Sequence, residues 1–118
     1  MSSSRIPLSV VIISKNAASQ IAGCIDSARF AQEVLVVDSG SEDETRAIAD
    51  VRGCRVLEKD WLGFGQQKQF AVMQAQFDWV LCLDVDERVT PELEASIRQA
   101  MSAPGTQAYR MARRNRFL

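Results

Sequence analysis

Residues 8–13 read Leu-Ser-Val-Val-Ile-Ile, β-branched and almost wholly apolar. That is the pattern of a strand buried on both faces of a sheet. Residues 33–37, 54–57 and 79–83 repeat it, giving four predicted strands. Between them the period becomes helical. Ile21, Cys24, Ile25 and Ala28 recur at i, i+3, i+4 and i+7, one face of a helix. Ser41 and Glu44 have capping-box spacing and predict a short helix through Ile48 and Ala49, closed by Gly53. Residues 66–76 predict a helix with Phe70, Met73 and Phe77 facing inward. Thr90 predicts an N-cap before Pro91 at the first helical position, with Leu93, Ile97 and Met101 as the buried stripe. Ala103-Pro104-Gly105 is a break, and residues 108–112 predict a fifth strand. Strand and helix alternate throughout, so the class is α/β with a mostly parallel sheet.

Length and composition narrow this only a little. At 118 residues the chain is one domain, expected to bury roughly two-thirds of its unfolded surface. Its 47% apolar and 25% charged residues are those of an ordinary globular domain. No apolar stretch is long enough to span a bilayer, and no secretory signal precedes the first strand. Cys24, Cys54 and Cys82 are widely spaced, odd in number and set in apolar patterns, which predicts reduced core thiols in the cytoplasm. The chain stops at Arg116-Phe117-Leu118 just after the fifth strand, with no turn signal. It is expected to be the N-terminal part of a longer protein.

Histidine is absent, and this changes the picture more. It removes Ser-His and Cys-His nucleophiles, histidine bases and His-ligated zinc together. The chemistry left is that of carboxylates, lysine or a bound metal. All fifteen acids lie at or before Glu94, whereas the tail carries Arg110, Arg113, Arg114 and Arg116, four arginines within seven residues. Such a tail suits phosphate, nucleic acid or an anionic lipid surface. A solvated strand edge accounts for any one of them equally well.

In open α/β sheets, ligands bind beyond the carboxyl ends of the strands. Three polar clusters fall there: Ser14-Lys15-Asn16, Asp38-Ser39-Gly40-Ser41 and Asp84-Val85-Asp86. Asp84 and Asp86 close an apolar run at i, i+2, and buried carboxylates are costly unless paired or metal-bound. Mg²⁺ is typically held by one or two carboxylates plus substrate phosphates. A polar strand end and turn is the simpler account of that pair taken alone. A capping box likewise explains Ser41 and Glu44 without a ligand. It is the coincidence of three clusters that points to a site. Neither Gly-x-Gly-x-x-Gly nor Gly-x-x-x-x-Gly-Lys-Ser/Thr occurs, so both common nucleotide fingerprints are missing.

The residues Val10-Val11-Ile12-Ile13-Ser14-Lys15-Asn16, then Val34 through Thr45, then Asp84-Val85-Asp86-Glu87, resemble the family-2 inverting glycosyltransferases in order and spacing. Ser14-Lys15-Asn16-Ala17-Ala18, Gly63-Phe64-Gly65-Gln66-Gln67-Lys68 and the tail from Tyr109 to Leu118 are similar to the lipopolysaccharide-core β-1,4-glucosyltransferase subgroup. The resemblance implies a Rossmann-like GT-A fold, a UDP-sugar donor, typically UDP-glucose, and Mg²⁺ or Mn²⁺ as cofactor. It implies that Asp38 contacts the uracil, that Ser14 and Asn16 line the base pocket, and that Asp84 faces the ribose. Asp86 would bind the metal, and Lys68 stands where the family often carries a basic residue near the donor. An inverting displacement also needs an acidic base opposite the leaving group. That base is expected beyond residue 118, since Glu87 lies too close to the metal pair.

The partners implied are the donor and a lipid-linked glycan acceptor at the inner membrane face, with no nucleic acid. Self-association through exposed apolar surface is also expected. Two rivals remain open at this point: an inert UDP-binding module, and a Mg²⁺-dependent nucleotidyl or phosphoryl transferase using the same Asp84 and Asp86.

Overall fold

A computed structural model describes residues 4–102 and the strand Arg116–Phe117. The elements run β1 (Ile6–Ser14), α1 (Ile21–Ser27), β2 (Ala31–Asp38), α2 (Thr45–Val51), β3 (Arg55–Glu58), α3 (Phe64–Gln74), β4 (Trp79–Asp84), α4 (Pro91–Ser102) and β5 (Arg116–Phe117). The sheet order is β3-β2-β1-β4-β5 and every neighbouring pair is parallel. The strand expected at residues 108–112 lies outside the described residues. No described helix is long and apolar enough to cross a membrane.

Alternation along the strands builds two cores, one on each face. Leu8, Val10, Ile12, Val36, Leu81 and Leu83 pack with Ile21, Cys24 and Ile25 of α1, Ala49 of α2 and Ile97 of α4. Val11, Leu35, Val37 and Val80 pack on the other face with Ala71 and Val72 of α3. Each fully buried Val, Leu or Ile contributes about 1.5–3 kcal/mol relative to exposure, so the central strands β1 and β2 anchor the fold. Chain order reverses between β1 and β4. Ser14 and Asp84 therefore end the two strands that flank the topological switch point, where such sheets bind ligands.

Two local expectations are corrected. Ser41 does not cap α2, which begins later with Glu44 at its N-cap and no side-chain cap bond. The Ser41 hydroxyl instead donates to Asp38 Oδ1 and accepts the Asn16 amide at 2.7 Å. Asp43 takes the local capping role, its Oδ1 accepting the Thr45 amide at 3.0 Å. On α3 Phe70 packs against the core as expected, but the buried positions are Gln67, Ala71 and Val72, while Met73 is 59% exposed and Phe77 lies beyond the helix end. Gln67 can be fully buried because its amide is used: Oε1 accepts the Leu62 amide at 3.0 Å and Nε2 donates to the Lys59 carbonyl at 3.2 Å. On α4 the signals hold in part. Thr90 Oγ1 accepts the Leu93 amide at 3.1 Å as an N-cap should. On α4, Ile97 is buried and Met101 packs on the core, but Leu93 is exposed.

Candidate donor-binding site

The loops after β1 and β2 are joined by one buried carboxylate. Asp38 ends β2 opposite Ser14 of β1 and has no solvent exposure. Its Oδ1 accepts the Ser14 hydroxyl at 2.9 Å and the Ser41 hydroxyl, and its Oδ2 accepts the amides of Gly40 at 3.0 Å and Ser41 at 2.7 Å. Gly40 sits at φ +90°, in the left-handed region that lets the turn curl back over the carboxylate. Arg46 adds charge at 3.8 Å from Oδ2 and is itself held by Glu58 at 2.6 Å. Asn16, at φ +50°, accepts the Glu42 amide through Oδ1 at 2.7 Å. The Ala17 amide donates to Thr45 Oγ1 at 2.8 Å. The Ser14–Asp38, Asn16–Glu42 and Ala17–Thr45 bonds tie the end of β1 and its loop to the segment that follows β2.

Beside this clamp lies a cavity of about 400 Å³, lined by Ile13, Ser14, Lys15, Ser39, Trp61 and Phe64. Trp61 and Phe64 meet edge to face at 5.0 Å between centroids, yet remain 50% and 71% exposed. Aromatic side chains left half open at a cleft offer stacking faces for a planar ligand. Gly63 stands between them at φ +96°, where the chain turns into α3. The sequence marks this loop by its aromatics and glycines, but only the fold carries it from beyond β3 to the end of β1.

The acidic loop follows β4. Asp84 and Asp86 are both exposed, and among the described residues no hydrogen bond or ion pair engages the Asp86 carboxylate. Lys68 of α3 brings Nζ to 3.8 Å from Asp84 Oδ1, so two of the expected site residues meet across the sheet end. Glu87 Oε1 accepts the Asp84 amide at 2.8 Å and the Glu87 amide returns to the Asp84 carbonyl at 2.8 Å, closing a tight turn. Arg88 straps that turn to α1. Its guanidinium donates to the carbonyls of Val85 at 3.0 Å, Glu87 at 2.7 Å and Gln20 at 3.1 Å. Gly23 makes the strap possible, since a Cβ there would stand 2.9 Å from Arg88 Nε. The buried Cys24 thiol donates to the Asp84 carbonyl at 3.5 Å, and desolvation pushes its pKa up to about 11, so it stays a neutral thiol.

The expected residues thus fall into three groups. Ser14 reaches the cavity, and Asp84, Asp86 and Lys68 share the end of β4. Asp38 and the Oδ1 of exposed Asn16 hold loops, and neither residue is among those lining the cavity. No group of three potential metal ligands occurs among the described residues. Two exposed carboxylates with hard oxygen donors still fit a Mg²⁺ or Mn²⁺ ion that completes its shell with water and substrate phosphate.

Comparison with known proteins places this arrangement in a family. The Glycosyl transferase family 2 profile matches residues 9–117, and the chain belongs to that family. It is 41% identical over 103 residues to an uncharacterized glycosyltransferase of Rickettsia felis, covering 86% of this chain and 36% of that protein. It is 33% identical over 116 residues to the lipopolysaccharide core biosynthesis glycosyltransferase LpsC of Rhizobium meliloti, covering 93% of this chain and 43% of that one. Among solved structures it resembles glucosyl-3-phosphoglycerate synthase of Mycobacterium tuberculosis in complex with Mn²⁺, UDP and glucosyl-3-phosphoglycerate. There the TM-score is 0.60 and the identity 27%, over 67% of this chain and 33% of that one. The fold is the α/β GT-A type. The chain therefore spans about two-fifths or less of the length of these curated relatives.

Proposed function

We propose that this chain is the donor-binding part of a metal-assisted, inverting hexosyltransferase that takes glucose from UDP-glucose to a lipopolysaccharide-core or related lipid-linked glycan. The observation that carries the reading is the meeting of an aromatic-lined cavity and an exposed carboxylate pair on either side of the switch point. The base of the donor would stack against Trp61 and Phe64, with Ser14 and Lys15 at its edge. Asp84 and Lys68 would lie toward the ribose and diphosphate. Asp38 and Asn16 act on the donor through the loops they hold in place. Asp86, with Asp84, would hold Mg²⁺ or Mn²⁺, which when bound offsets the charge that builds on the departing diphosphate. Lys68 would move from Asp84 to the phosphates as that charge develops.

None of these side chains is assigned the acceptor-activating base. Glu87 already accepts the Asp84 amide and faces its own turn, so the reading gives that role to a residue beyond the donor-binding part. The acceptor and the place at the inner membrane face rest on the resemblance to lipopolysaccharide-core enzymes and on charge, and self-association rests on exposed apolar side chains.

Calorimetric titration of UDP with and without Mn²⁺, on the chain and on Asp86→Ala, tests the reading. A Kd near 100 μM corresponds to only about −5.5 kcal/mol, so loss of one metal ligand is readily seen. Metal-dependent binding that disappears in Asp86→Ala supports the reading, and UDP binding indifferent to Mn²⁺ and to Asp86 contradicts it. Preference for nucleoside triphosphates over UDP would favour nucleotidyl or phosphoryl transfer. Metal-dependent UDP binding by the full-length protein without sugar transfer would favour an inert module.

A further inference from the structure

At the opposite, amino end of the strands a second cavity of about 190 Å³ opens between the ends of α1 and α2, lined by Arg5, Arg29, Gln32, Arg52, Gly53 and Cys54 among others. Among the described residues, no carboxylate lines it. Asp26 stands beside it, and one of its oxygens takes both neighbouring arginines: Oδ1 accepts Arg52 Nε at 3.2 Å and Arg29 Nε at 3.4 Å. Each guanidinium therefore spends its Nε on a shared oxygen. Among the described residues, nothing hydrogen-bonds the terminal nitrogens of either, and nothing pairs with the Arg5 side chain. Three permanent cations face one carboxylate.

The adjoining groove is different. It also contains Arg5 and Arg29, but Asp26 and Glu94 line it, and Glu94 holds Arg98 at 2.9 Å. The excess positive charge is concentrated in the smaller cavity.

Guanidinium forks match the oxygens of a phosphate, and several converging on one spot outcompete water for it. Water occupies roughly 30 Å³, so the space admits a tetrahedral anion with ordered water. We propose that this cavity binds the phosphate of a phosphomonoester, at a site separate from the donor pocket. Arg5 supplies the uncommitted charge, and Arg29 and Arg52 supply the terminal forks. Asp26 sets the spacing of the two forks and limits the affinity by its own charge.

The test is NMR titration of the arginine Nε–Hε signals of the chain with inorganic phosphate, repeated on Arg5→Gln and Asp26→Asn. Saturable shifts at Arg29 and Arg52 are expected, weakened about tenfold by Arg5→Gln and strengthened by Asp26→Asn. The opposite signs of the two variants separate binding from a loss of fold, and chloride at equal ionic strength controls for screening. A parallel arm measures sedimentation with phosphatidylcholine vesicles with and without phosphatidic acid. Binding to free phosphate identifies a soluble phosphomonoester. Arg5-dependent binding to phosphatidic acid vesicles alone identifies a lipid headgroup. Absence of both, or equal responses in Arg5→Gln and the parent chain, overturns the proposal and leaves Arg29 and Arg52 as helix-end cations.

Discussion

The paired strands β1 and β2 carry the same device twice. Near their amino end Ser9 donates to buried Glu33 at 2.6 Å, and at their carboxyl end Ser14 donates to buried Asp38 at 2.9 Å. Five residues separate the two, so they face opposite sides of the sheet. Glu33 is matched by a cation, Arg55 at 3.0 Å, and also accepts the Gln76 amide at 2.9 Å. Arg55 and Ser9 then reach the Gln74 carbonyl and the Phe77 amide. That network pins the end of α3 to the sheet. Asp38 is satisfied chiefly by amides and hydroxyls of two loops, and those loops border the 400 Å³ cleft. One carboxylate secures the scaffold, and the other shapes the site.

Breaking each pair should show that division. Asp38→Ala strands two hydroxyls and two amides in a buried setting and is expected to cost about 3–5 kcal/mol, read by urea denaturation, with loss of UDP binding. Glu33→Gln keeps an acceptor for Ser9 and removes the charge facing Arg55. It should cost about 1–2 kcal/mol and leave UDP affinity unchanged; a matching fall in affinity would erase the distinction. Arg88→Gln should leave the scaffold stable and weaken Mn²⁺-dependent UDP binding about fivefold, roughly 1 kcal/mol, because the Asp84–Glu87 turn loses its strap to α1.

The smallest effect concerns pH. Hydrogen bonds from the Thr45 hydroxyl and amide, with the Ala18 amide, hold the Asp43 carboxyl below the usual range. A depressed folded value means that its contribution is present above the unfolded pKa, about 3.9, and is lost as pH falls through the lower folded value. Asp26, lowered chiefly by its bond to Arg52, adds to the same acid limb. The readout is therefore the difference between Asp43→Asn and the parent chain, which should show the variant with the shallower loss of stability on acidification.

The four main strands were legible because buried parallel strands are continuous apolar runs, and α1 and α4 because apolar residues recur there at helical spacing. The acidic pair was legible because carboxylates ending such a run need a reason. Ser41 misled because a capping-box spacing says nothing of competitors, and Asp38 and Asn16, three and twenty-five residues away, claim its hydroxyl. The inward face of α3 was misplaced because the burial of Gln67 depends on backbone groups of the preceding loop. The Ser9–Glu33 pair and the roles of Trp61 and Arg88 depend on register and on loops meeting across the sheet, which local pattern does not encode.

The central claim is that a base stacks in the cleft beneath Trp61 while Asp86 serves the diphosphate. Emission of Trp61, isolated in a Trp79→Phe background, measured during UDP titration with Mn²⁺ tests it most directly. Saturable quenching that vanishes without metal and in Asp86→Ala is expected. UDP binding that leaves Trp61 emission unchanged would place the nucleotide elsewhere and contradict it.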